Sequence, residues 1–274
     1  MKADLHCHSI YSDGTLTPAE VVDLAVGNNV ELFALTDHDS IQGLQEARAR
    51  CEMHGLTMIN GVEVSVTWCG YTIHIVGLNI DVDHAAINDL LDNNATCRSI
   101  RIQQMIDKLD HLNINLDSFL ADTIPKKGLI TRTHLARGLI ATGKVKKMDQ
   151  AFKKYLGKGK PAYVDGDWVS LNNAVQTIND SGGAAIIAHP MRYRLSATRL
   201  DKLVHDFTEA GGKGLEVVTA TQDVNQQARC AQLAKQYDLH ASIGSDFHSL
   251  DQSWSMIGKC TNLPSTVKPI WHCW

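Results

Sequence analysis

The sequence predicts an α/β protein whose mainly parallel sheet is closed, or nearly closed, into a barrel. Two observations favour this class. Short apolar runs alternate with helical patterns in the first third of the chain and again after Ser170, and two predicted helices of the second stretch end at glycine pairs, Gly182-Gly183 and Gly211-Gly212. Repeated strand–helix units with glycine at the helix ends are typical of parallel sheets covered by helices, including barrels.

The N-terminal part of the chain contains two predicted strand–helix units followed by a pair of strands. Thr17, Pro18 and Glu20 form a capping-box start with proline at the first helical position. A turn at Cys69-Gly70 separates the last two strands. The predicted elements are strands at residues 3–5, 32–36, 57–66 and 71–78 and helices at 17–26 and 41–54.

Residues 84–165 lack a strand pattern and are predicted to form a helical insert. Residues 1–83 and 166–274 are then left to form the barrel. Within the insert the pattern predicts a helix at 84–111, a helix at 131–142 and a Lys- and Gly-rich segment at 153–160. After the insert it predicts strands at 184–188, 214–218 and 240–244, with helices that end near 182, 211 and 237.

The composition is that of a soluble globular protein: of 274 residues, 44% are hydrophobic and 20% are charged, which excludes a disordered chain. No apolar run is long enough to predict a transmembrane helix, and the first residues lack the apolar core of a signal peptide. Seven cysteines without paired spacing argue against a disulfide framework. The net charge of −4 argues against a broad basic surface for a DNA duplex. We therefore expect a cytoplasmic protein that binds neither membranes nor DNA duplexes.

Histidines and carboxylates gather beside the predicted strands. His6 and His8 follow the first strand and, being two residues apart, are expected to point to the same face. The carboxyl ends of parallel strands meet at one mouth of a barrel, where barrel enzymes place their chemistry. The candidate ligands are His6, His8, Asp13, His38, Glu63, His74, His189, Asp246 and His248.

A metal site explains these residues better than chance does. A single histidine beside a strand is more often packed or solvated, and a loop carboxylate more often caps a helix. Glu63, however, lies between two valines, and Asp246 follows a predicted buried strand. Both carboxylates would be costly buried charges without a cation.

The number of ligands favours several ions. A structural zinc site needs only four ligands, and if Glu63 bridges two ions, about three protein ligands remain for each of three ions. Nitrogen and oxygen ligands without thiolate suit Mn²⁺, Fe²⁺ or Zn²⁺, and the residue types do not choose among them. Three divalent ions beside three carboxylates would leave a charge of about +3, which attracts a phosphate dianion and lowers the pKa of a bridging water. Phosphoryl hydrolysis is the reaction class that this charge favours.

The chain resembles the PHP (polymerase and histidinol phosphatase) family from residue 3 to residue 248. The resemblance implies a distorted seven-stranded β/α barrel and three divalent ions, Mn²⁺ being favoured. One ion would take His6, His8, Glu63 and Asp246, the second Glu63, His74 and His189, and the third Asp13, His38 and His248. The family's motifs stand in this chain as Asp4-Leu5-His6-Cys7-His8-Ser9, Ser12-Asp13-Gly14, Thr36-Asp37-His38-Asp39, Gly61-Val62-Glu63, His74, Ala188-His189-Pro190 and Gly244-Ser245-Asp246-Phe247-His248.

Within this family, the insert and its segment Ile130-Thr131-Arg132-Thr133-His134 resemble one bacterial branch. Its members are 3′,5′-nucleoside bisphosphate phosphatases, also described as ribonuclease AM, a 5′-to-3′ exoribonuclease. The resemblance implies removal of the 5′-phosphate from nucleoside 3′,5′-bisphosphates and release of 5′-mononucleotides from short 5′-phosphorylated RNA. Lys126-Lys127 and Lys144 to Lys147 are expected to be solvated, although they could steer RNA toward the site.

Arginines are the candidates for gripping the substrate, because a guanidinium binds phosphate through two parallel hydrogen bonds. Arg192 and Arg194 closely follow His189, and Arg132, Thr133 and His134 are expected to bring the insert to a second phosphate on the ribose 3′ side. Exposed surface positions are the alternative for these arginines. Trp168 or Tyr193 could stack a base, although a core position is the commoner role of such an aromatic residue.

The mechanistic hypothesis is attack on phosphorus by a metal-bridging hydroxide, with an acid to protonate the leaving oxygen. Asp37, Asp39 or a metal-bound water are the candidate acids, and for Asp37 an orienting role beside a ligating imidazole is favoured. Three other functions stay open: another phosphatase, such as one for histidinol phosphate, a metal-dependent regulatory domain, and an amidohydrolase with one or two metals.

Overall fold

The computed structural model describes residues 1–123 and 128–274. The lysine pair Lys126-Lys127, predicted to be solvated, lies outside these residues. Among the described residues the strands form two sheets, in the orders β1-β2-β3 and β6-β4-β5-β7-β8-β9. The strands are β1 (Ala3–Asp4), β2 (Leu32–Phe33), β3 (Thr57–Met58), β4 (Gly61–Trp68), β5 (Tyr71–Leu78), β6 (Val169–Ser170), β7 (Ala184–Ile187), β8 (Gly214–Thr219) and β9 (His240–Gly244).

Most neighbouring strands are parallel, as predicted, but β5 is antiparallel to both of its neighbours. It pairs with β4 from Tyr71 opposite Trp68 to Leu78 opposite Gly61, and with β7 from Ile75 to Leu78. The reason is the tight turn at Cys69-Gly70, where both residues have positive φ, because such a turn reverses the chain directly. The α/β class is confirmed, with a mixed rather than an all-parallel larger sheet.

Backbone hydrogen bonds connect the two sheets at two places. Leu5 N donates to Ile243 O at 3.0 Å beside β1 and β9. On the other side, Asp39 N donates to Glu63 O at 2.9 Å and Glu63 N donates to Asp37 O at 3.2 Å. The described residues nevertheless form two separate sheets rather than one continuous closed sheet, so the seven-stranded barrel stays a prediction.

The helices begin and end close to the predicted positions. Thr17 caps the first helix through a reciprocal hydrogen-bond pair with Glu20, as the capping box predicted. The second helix begins three residues later than predicted, because residues 42 and 43 form a turn before it. The helices are α1 (Pro18–Gly27), α2 (Leu44–His54), α3 (Ala85–His111), α4 (Asp117–Thr123), α5 (Arg132–Ala141), α6 (Met148–Ala151), α7 (Leu171–Asp180), α8 (Ala197–Glu209) and α9 (Val224–Gln236).

A π-helix at Phe152–Leu156 continues α6 and was missed in the sequence, where lysines dominate the segment. Leu156 is fully buried and packs in a second hydrophobic cluster made by residues of the predicted insert. The long helix α3 contacts both clusters: Ile87 and Leu90 belong to the core around the larger sheet, whereas Met105 belongs to the second cluster. Helix α3 therefore connects the two cores. Within the described residues, no helix has the length and apolar character needed to cross a bilayer.

Candidate metal centre and adjoining cavity

His6 and His8 follow β1 and point to the same face, as their spacing predicted. Their Nε2 atoms lie 3.1 Å apart, and both rings are fully buried. Each Nε2 atom also faces Glu63 Oε2, at 3.2 Å from His6 and 3.3 Å from His8. The two imidazoles and the carboxylate thus form one closely packed group.

Glu63 is the centre of the predicted ligands and is fully buried. Its Oε1 atom lies 2.9 Å from His74 Nδ1 and 2.9 Å from His189 Nε2. Its Oε2 atom lies 2.9 Å from His38 Nδ1. His6 and His8, which follow the same strand, face this carboxylate too. Glu63 is therefore surrounded by imidazoles from four different parts of the fold.

Two further carboxylates complete the cluster. Asp13 Oδ1 lies 3.2 Å from His248 Nε2 and 3.7 Å from His38 Nε2. Asp246 Oδ1 lies 3.1 Å from His8 Nε2. The structure thus brings all nine sequence-predicted ligand residues together.

Two of the nine residues lie inside strands rather than after them, where the predicted strands 57–66 and 71–78 also had them. Glu63 is the third residue of β4 and His74 the fourth residue of β5, so both lie within the hairpin. The segment after β2 pairs with the start of β4, through a bridge between His38 and Glu63, and the hairpin continues beyond this point. The site therefore lies at the carboxyl ends of β1, β2, β7 and β9 and beside the interior of the β4–β5 hairpin.

The unpaired buried atoms and the donor types of these residues fit divalent cations. Four of their atoms, Asp13 Oδ1, His38 Nδ1, Glu63 Oε2 and His189 Nδ1, are buried without a hydrogen-bond partner among the described residues. Four overlapping groups of three or four His, Asp and Glu residues have ligand atoms within 4.8 Å of one another. Such sets of nitrogen and oxygen atoms are those that Mn²⁺, Fe²⁺ and Zn²⁺ accept.

The charges of the metal-free cluster are strongly coupled. Burial raises the carboxyl pKa of Glu63, but the surrounding imidazoles of His38 and His6 outweigh it and hold this pKa well below its usual range. Burial lowers the pKa of His38 to about 4, whereas the pKa of His8 is raised to about 10 because the hydrogen bond that its ring donates to Asp246 and the adjacent carboxylate of Glu63 outweigh its burial. The site therefore keeps its carboxylates ionised and ready for cations.

Glu216 on β8 holds two of these residues in place and was missed in the sequence analysis. Its Oε1 atom lies 2.7 Å from His6 Nδ1, and its Oε2 atom accepts the backbone N–H of His189 at 2.5 Å. The sequence carried the same signal as for Glu63, a glutamate flanked by apolar residues inside a predicted strand. Carboxylates that orient ligating imidazoles in this way raise the affinity for a metal.

Asp37 contacts serines rather than an imidazole. Its carboxylate accepts hydrogen bonds from Ser9 N at 2.7 Å, Ser9 Oγ at 2.6 Å and Ser12 Oγ at 2.6 Å. Ser12 Oγ lies 3.4 Å from His8 Nδ1, so Asp37 reaches the cluster through this serine. The side chain is 1% exposed, and burial raises its pKa.

Asp39 is bound into the scaffold and does not line the cavity described below. It accepts hydrogen bonds from Ser65 N at 2.8 Å and Asn94 Nδ2 at 2.8 Å and pairs with the Arg98 guanidinium. Asn94 and Arg98 lie on α3, so this carboxylate joins the long helix to the start of the β4–β5 hairpin.

A cavity of about 260 Å³ opens directly on the cluster and is here called the site cavity. His38, His189 and Asp246 form part of its wall, and so do the predicted substrate residues Arg132 and Thr133. The Arg132 guanidinium lies 5.8 Å from the centre of the Phe152 ring, a residue of the missed π-helix. The site cavity thus joins the metal centre to the first turn of α5.

The other predicted substrate residues have different positions. Arg192 lines the site cavity and pairs with Asp246. Arg194 is exposed and is not among the residues that line the cavity. His134 is buried behind the cavity wall, where its Nδ1 atom accepts the backbone N–H of Thr131 at 3.1 Å and closes the cap of α5.

Two arginines of α3 line the site cavity and were not selected from the sequence: Arg98 and Arg101. Both stack on Trp168, with guanidinium carbons 4.9 and 5.5 Å from the ring centre. Their spacing of three residues puts them on one helical face. This pattern is visible in the sequence, but many helices carry such pairs, so it does not by itself indicate a binding site. Trp168 also lines the cavity, whereas Tyr193 is held in the wall by a hydrogen bond from its hydroxyl to Ala188 O at 2.8 Å.

The fold and the site together define a class of protein: an α/β scaffold with a histidine–carboxylate metal centre that opens on an arginine-lined cavity. A family model described as the PHP domain matches residues 4–113. The chain belongs to the PHP family, and this confirms the resemblance found in the sequence.

Relatives that align with this chain over nearly their whole length show the branch of the family. A "5′-3′ exoribonuclease" of Haemophilus influenzae is 42% identical over 99% of this chain and 98% of its own length. A "3′,5′-nucleoside bisphosphate phosphatase" of Chromobacterium violaceum is 42% identical over 98% of this chain and 95% of its own length. The "5′-3′ exoribonuclease Rnm" of Escherichia coli is 40% identical over 99% of this chain and 93% of its own length.

Two solved structures have the same fold. A structure from Chromobacterium violaceum, described as an amidohydrolase with bound sulfate and no metal, is 41% identical with a TM-score of 0.94 and covers 99% of this chain and 95% of its own. A structure from Bifidobacterium adolescentis, assigned to the metal-dependent phosphoesterases, is 27% identical with a TM-score of 0.82 and covers 99% of this chain and 93% of its own.

Proposed function

We propose that this protein is a metal-dependent phosphoesterase that removes the 5′-phosphate of nucleoside 3′,5′-bisphosphates and degrades short 5′-phosphorylated RNA from its 5′ end. The observation that carries the proposal is that the site cavity is bounded on one side by the metal centre and on the other by Arg132 and Arg101. A substrate with two phosphates matches such a cavity, because each end offers positive charge. The names of the full-length relatives support the same two activities.

The cofactor in this proposal is a set of three divalent cations, Mn²⁺ being favoured. His6, His8, Glu63 and Asp246 would hold the first, Glu63, His74 and His189 the second, and Asp13, His38 and His248 the third. Bound cations supply Lewis acids that activate water and offset the charge of the phosphate. His6, His8 and Asp246 lie in one close group, and Asp13, His38 and His248 lie in another with His8, which supports the first and third sets, whereas Glu63 belongs to two groups, one with His6 and His189 and one with His38 and His74.

The protein residues then bind and orient the substrate. Arg132 and Arg101 would hold the 3′-phosphate, and Arg192, which pairs with Asp246, would keep that carboxylate ionised and directed toward the cluster. Asp37 is assigned a positioning role, because its oxygens are occupied by three serine hydrogen bonds.

The two parts predicted for the chain have separate roles in this proposal. Residues 1–83 and 166–274 would form the distorted barrel that carries the metal ligands, with the hydrogen bonds at Leu5 and Asp39 linking its sheets. Residues 84–165 would form the insert that supplies Arg132 and the α3 arginines and thereby selects the substrate. The second hydrophobic cluster supports an insert with packing of its own.

Two other functions differ in what they demand of the site. Histidinol phosphate carries a single phosphate, so Arg132 and Arg101 would have no anion to bind. An amidohydrolase, the description given to the related structure from Chromobacterium violaceum, typically needs one or two metals. Metal analysis of the purified protein separates this alternative, since three ions per chain are expected here.

A screen of phosphate release by the Mn²⁺-loaded protein tests the function. It compares adenosine 3′,5′-bisphosphate, adenosine 5′-monophosphate, histidinol phosphate and a 5′-phosphorylated oligoribonucleotide, the last followed by the appearance of mononucleotides. The bisphosphate is expected to have the highest kcat/KM among the small substrates. A higher value for histidinol phosphate would reject the proposed specificity.

A further inference from the structure

A second cavity, of about 740 Å³, lies along α5 on the other side of the wall that holds Asp13. Its lining includes Arg137, Ile140, Lys147 and Trp254, and we call it the α5 groove. Trp254 is 62% exposed, unusually open for a side chain of this size. Nothing in the site described above uses this tryptophan.

The α5 groove and the site cavity are neighbours across Asp13 and His248. Arg137, in the groove, donates to the backbone oxygen of Asp13 at 2.9 Å, and Thr15, also in the groove, donates to the backbone oxygen of His248 at 3.3 Å. The side chains of Asp13 and His248 face the site cavity. Helix α5 connects the two spaces, because its first residue lines the site cavity and Ile140 lines the groove, about 12 Å further along the helix axis.

The groove combines an aromatic surface with two cations, Arg137 and Lys147, which two aspartates of its lining equal in number. Lys144, Lys146 and Lys147 are all exposed beside it, within four residues of sequence. Asp149 and Asp251 also line the groove, but Asp149 is paired with Lys153 at 3.0 Å. An exposed aromatic ring next to cations is the arrangement by which proteins bind single-stranded nucleic acid without reading its sequence.

We propose that the α5 groove binds the nucleotides of single-stranded RNA that lie downstream of the one in the site cavity, with a base stacked on Trp254 and a phosphate near Lys147. This inference rests on the exoribonuclease part of the proposed function and extends it to a second binding site. A nucleoside bisphosphate ends inside the site cavity, whereas an oligoribonucleotide continues past Arg132 along α5. The groove therefore favours RNA over mononucleotides.

The test measures kcat/KM of the Mn²⁺-loaded protein for adenosine 3′,5′-bisphosphate and for a 5′-phosphorylated adenosine tetraribonucleotide. Trp254→Ala is expected to lower the value for the tetranucleotide relative to that for the bisphosphate by about five-fold or more, the lower end of what one stacked base contributes. Trp274→Ala is the matched control, because Trp274 is also exposed and lies outside the groove. It is expected to leave the ratio unchanged.

Lys147→Glu gives an independent readout, since it reverses a surface charge without removing an aromatic ring. It is expected to lower the same ratio and to make the value for the tetranucleotide less sensitive to salt, because fewer counterions are released on binding. Unchanged ratios in both variants would overturn the proposal, and so would equal losses on the two substrates, which would mean that the variants damage the site itself.

The remaining outcomes are also decisive. If the wild type hydrolyses the bisphosphate but not the tetranucleotide, the groove proposal is rejected while the phosphatase part of the function stands. If it hydrolyses neither, the proposed function itself fails. A wild-type dimer that Trp254→Ala dissociates, with an unchanged substrate ratio, would assign the groove to a second copy of the chain and reject RNA.

Discussion

Glu216 Oε1 lies 2.7 Å from Nδ1 of His6, and this contact fixes which nitrogen of His6 faces the metal centre. A carboxylate only accepts hydrogen bonds, so Nδ1 carries a proton toward Glu216, and Nε2, on the side of Glu63, is the nitrogen that a cation would take. The same carboxylate holds the backbone of His189. Glu216 thus positions two ligand residues without lining the site cavity itself.

Glu216→Ala is expected to weaken Mn²⁺ binding by about 10- to 100-fold, because His6 loses the partner that orients it. Glu216→Gln, which keeps an acceptor oxygen for His6, is the control and is expected to lose less. The measurement is a Mn²⁺ titration against a competing chelator, with circular dichroism to establish that both variants are folded. Wild-type affinity in a folded Glu216→Ala variant would contradict the positioning role.

Arg132→Ala is expected to reduce kcat/KM for a 3′,5′-bisphosphate by about 10- to 100-fold, the range for losing a hydrogen bond between charged groups. The value for a simple 5′-monophosphate should change little, because Arg132 is assigned to the 3′-phosphate. Arg194→Ala is the matched control, since Arg194 is exposed and does not line the site cavity. Equal losses on both substrates would show that Arg132 does not bind the 3′-phosphate.

Asp37→Asn distinguishes general acid catalysis from positioning. The carboxylate accepts three hydrogen bonds from two serines, and an amide offers fewer acceptor sites and adds a donor, so the segment that carries His8 should be less well held. We expect equal losses of kcat for substrates with good and with poor leaving groups. A loss confined to poor leaving groups would instead indicate that Asp37 protonates the leaving oxygen.

Much of the site was predictable because its residues lie beside short strands whose order along the chain is visible in the sequence. The motifs around His6 and His189 follow predicted strands, and parallel strands necessarily bring such segments to one edge. Glu216 could have been found by the argument that selected Glu63. The antiparallel direction of β5 was also implicit in the turn at Cys69-Gly70.

The α3 arginines were not predictable in the same way. A helical pattern shows that Arg98 and Arg101 share a face, but the direction of that face depends on how α3 packs. The structure sets it through the pairing of Arg98 with Asp39 and the hydrogen bond of Asn94 to the same carboxylate, contacts between residues far apart in sequence. The π-helix with Phe152 was not predicted for a related reason: its apolar residues are buried only by tertiary contacts within the insert.

Mn²⁺ is expected to stabilise the protein increasingly as the pH rises from 6.5 to 8.5. In the metal-free protein the pKa of His8 is about 10, because the hydrogen bond that its ring donates to Asp246 and the adjacent carboxylate of Glu63 outweigh its burial. A cation must therefore displace a proton from this ring throughout that range. A histidine whose pKa is raised by folding stabilises the metal-free fold at pH values below its pKa in the unfolded chain. This stabilisation is lost as the pH rises toward 10. Each displaced proton therefore adds about 1.4 kcal/mol per pH unit to the advantage of the metal-bound state.

Thermal unfolding with and without Mn²⁺ measures this effect. At a cation concentration of about 100 times Kd the stabilisation is about 2.7 kcal/mol, which corresponds to a rise in Tm of roughly 5 to 10 °C. The rise should grow with pH in the wild type and in His205→Ala, a control at an exposed histidine away from the cluster. In His8→Ala the proton that Mn²⁺ displaces is absent, so the rise should be smaller and depend less on pH. If the rise in Tm of the wild type is constant over this pH range, Mn²⁺ displaces no proton from His8, and this ring is not protonated in the metal-free protein.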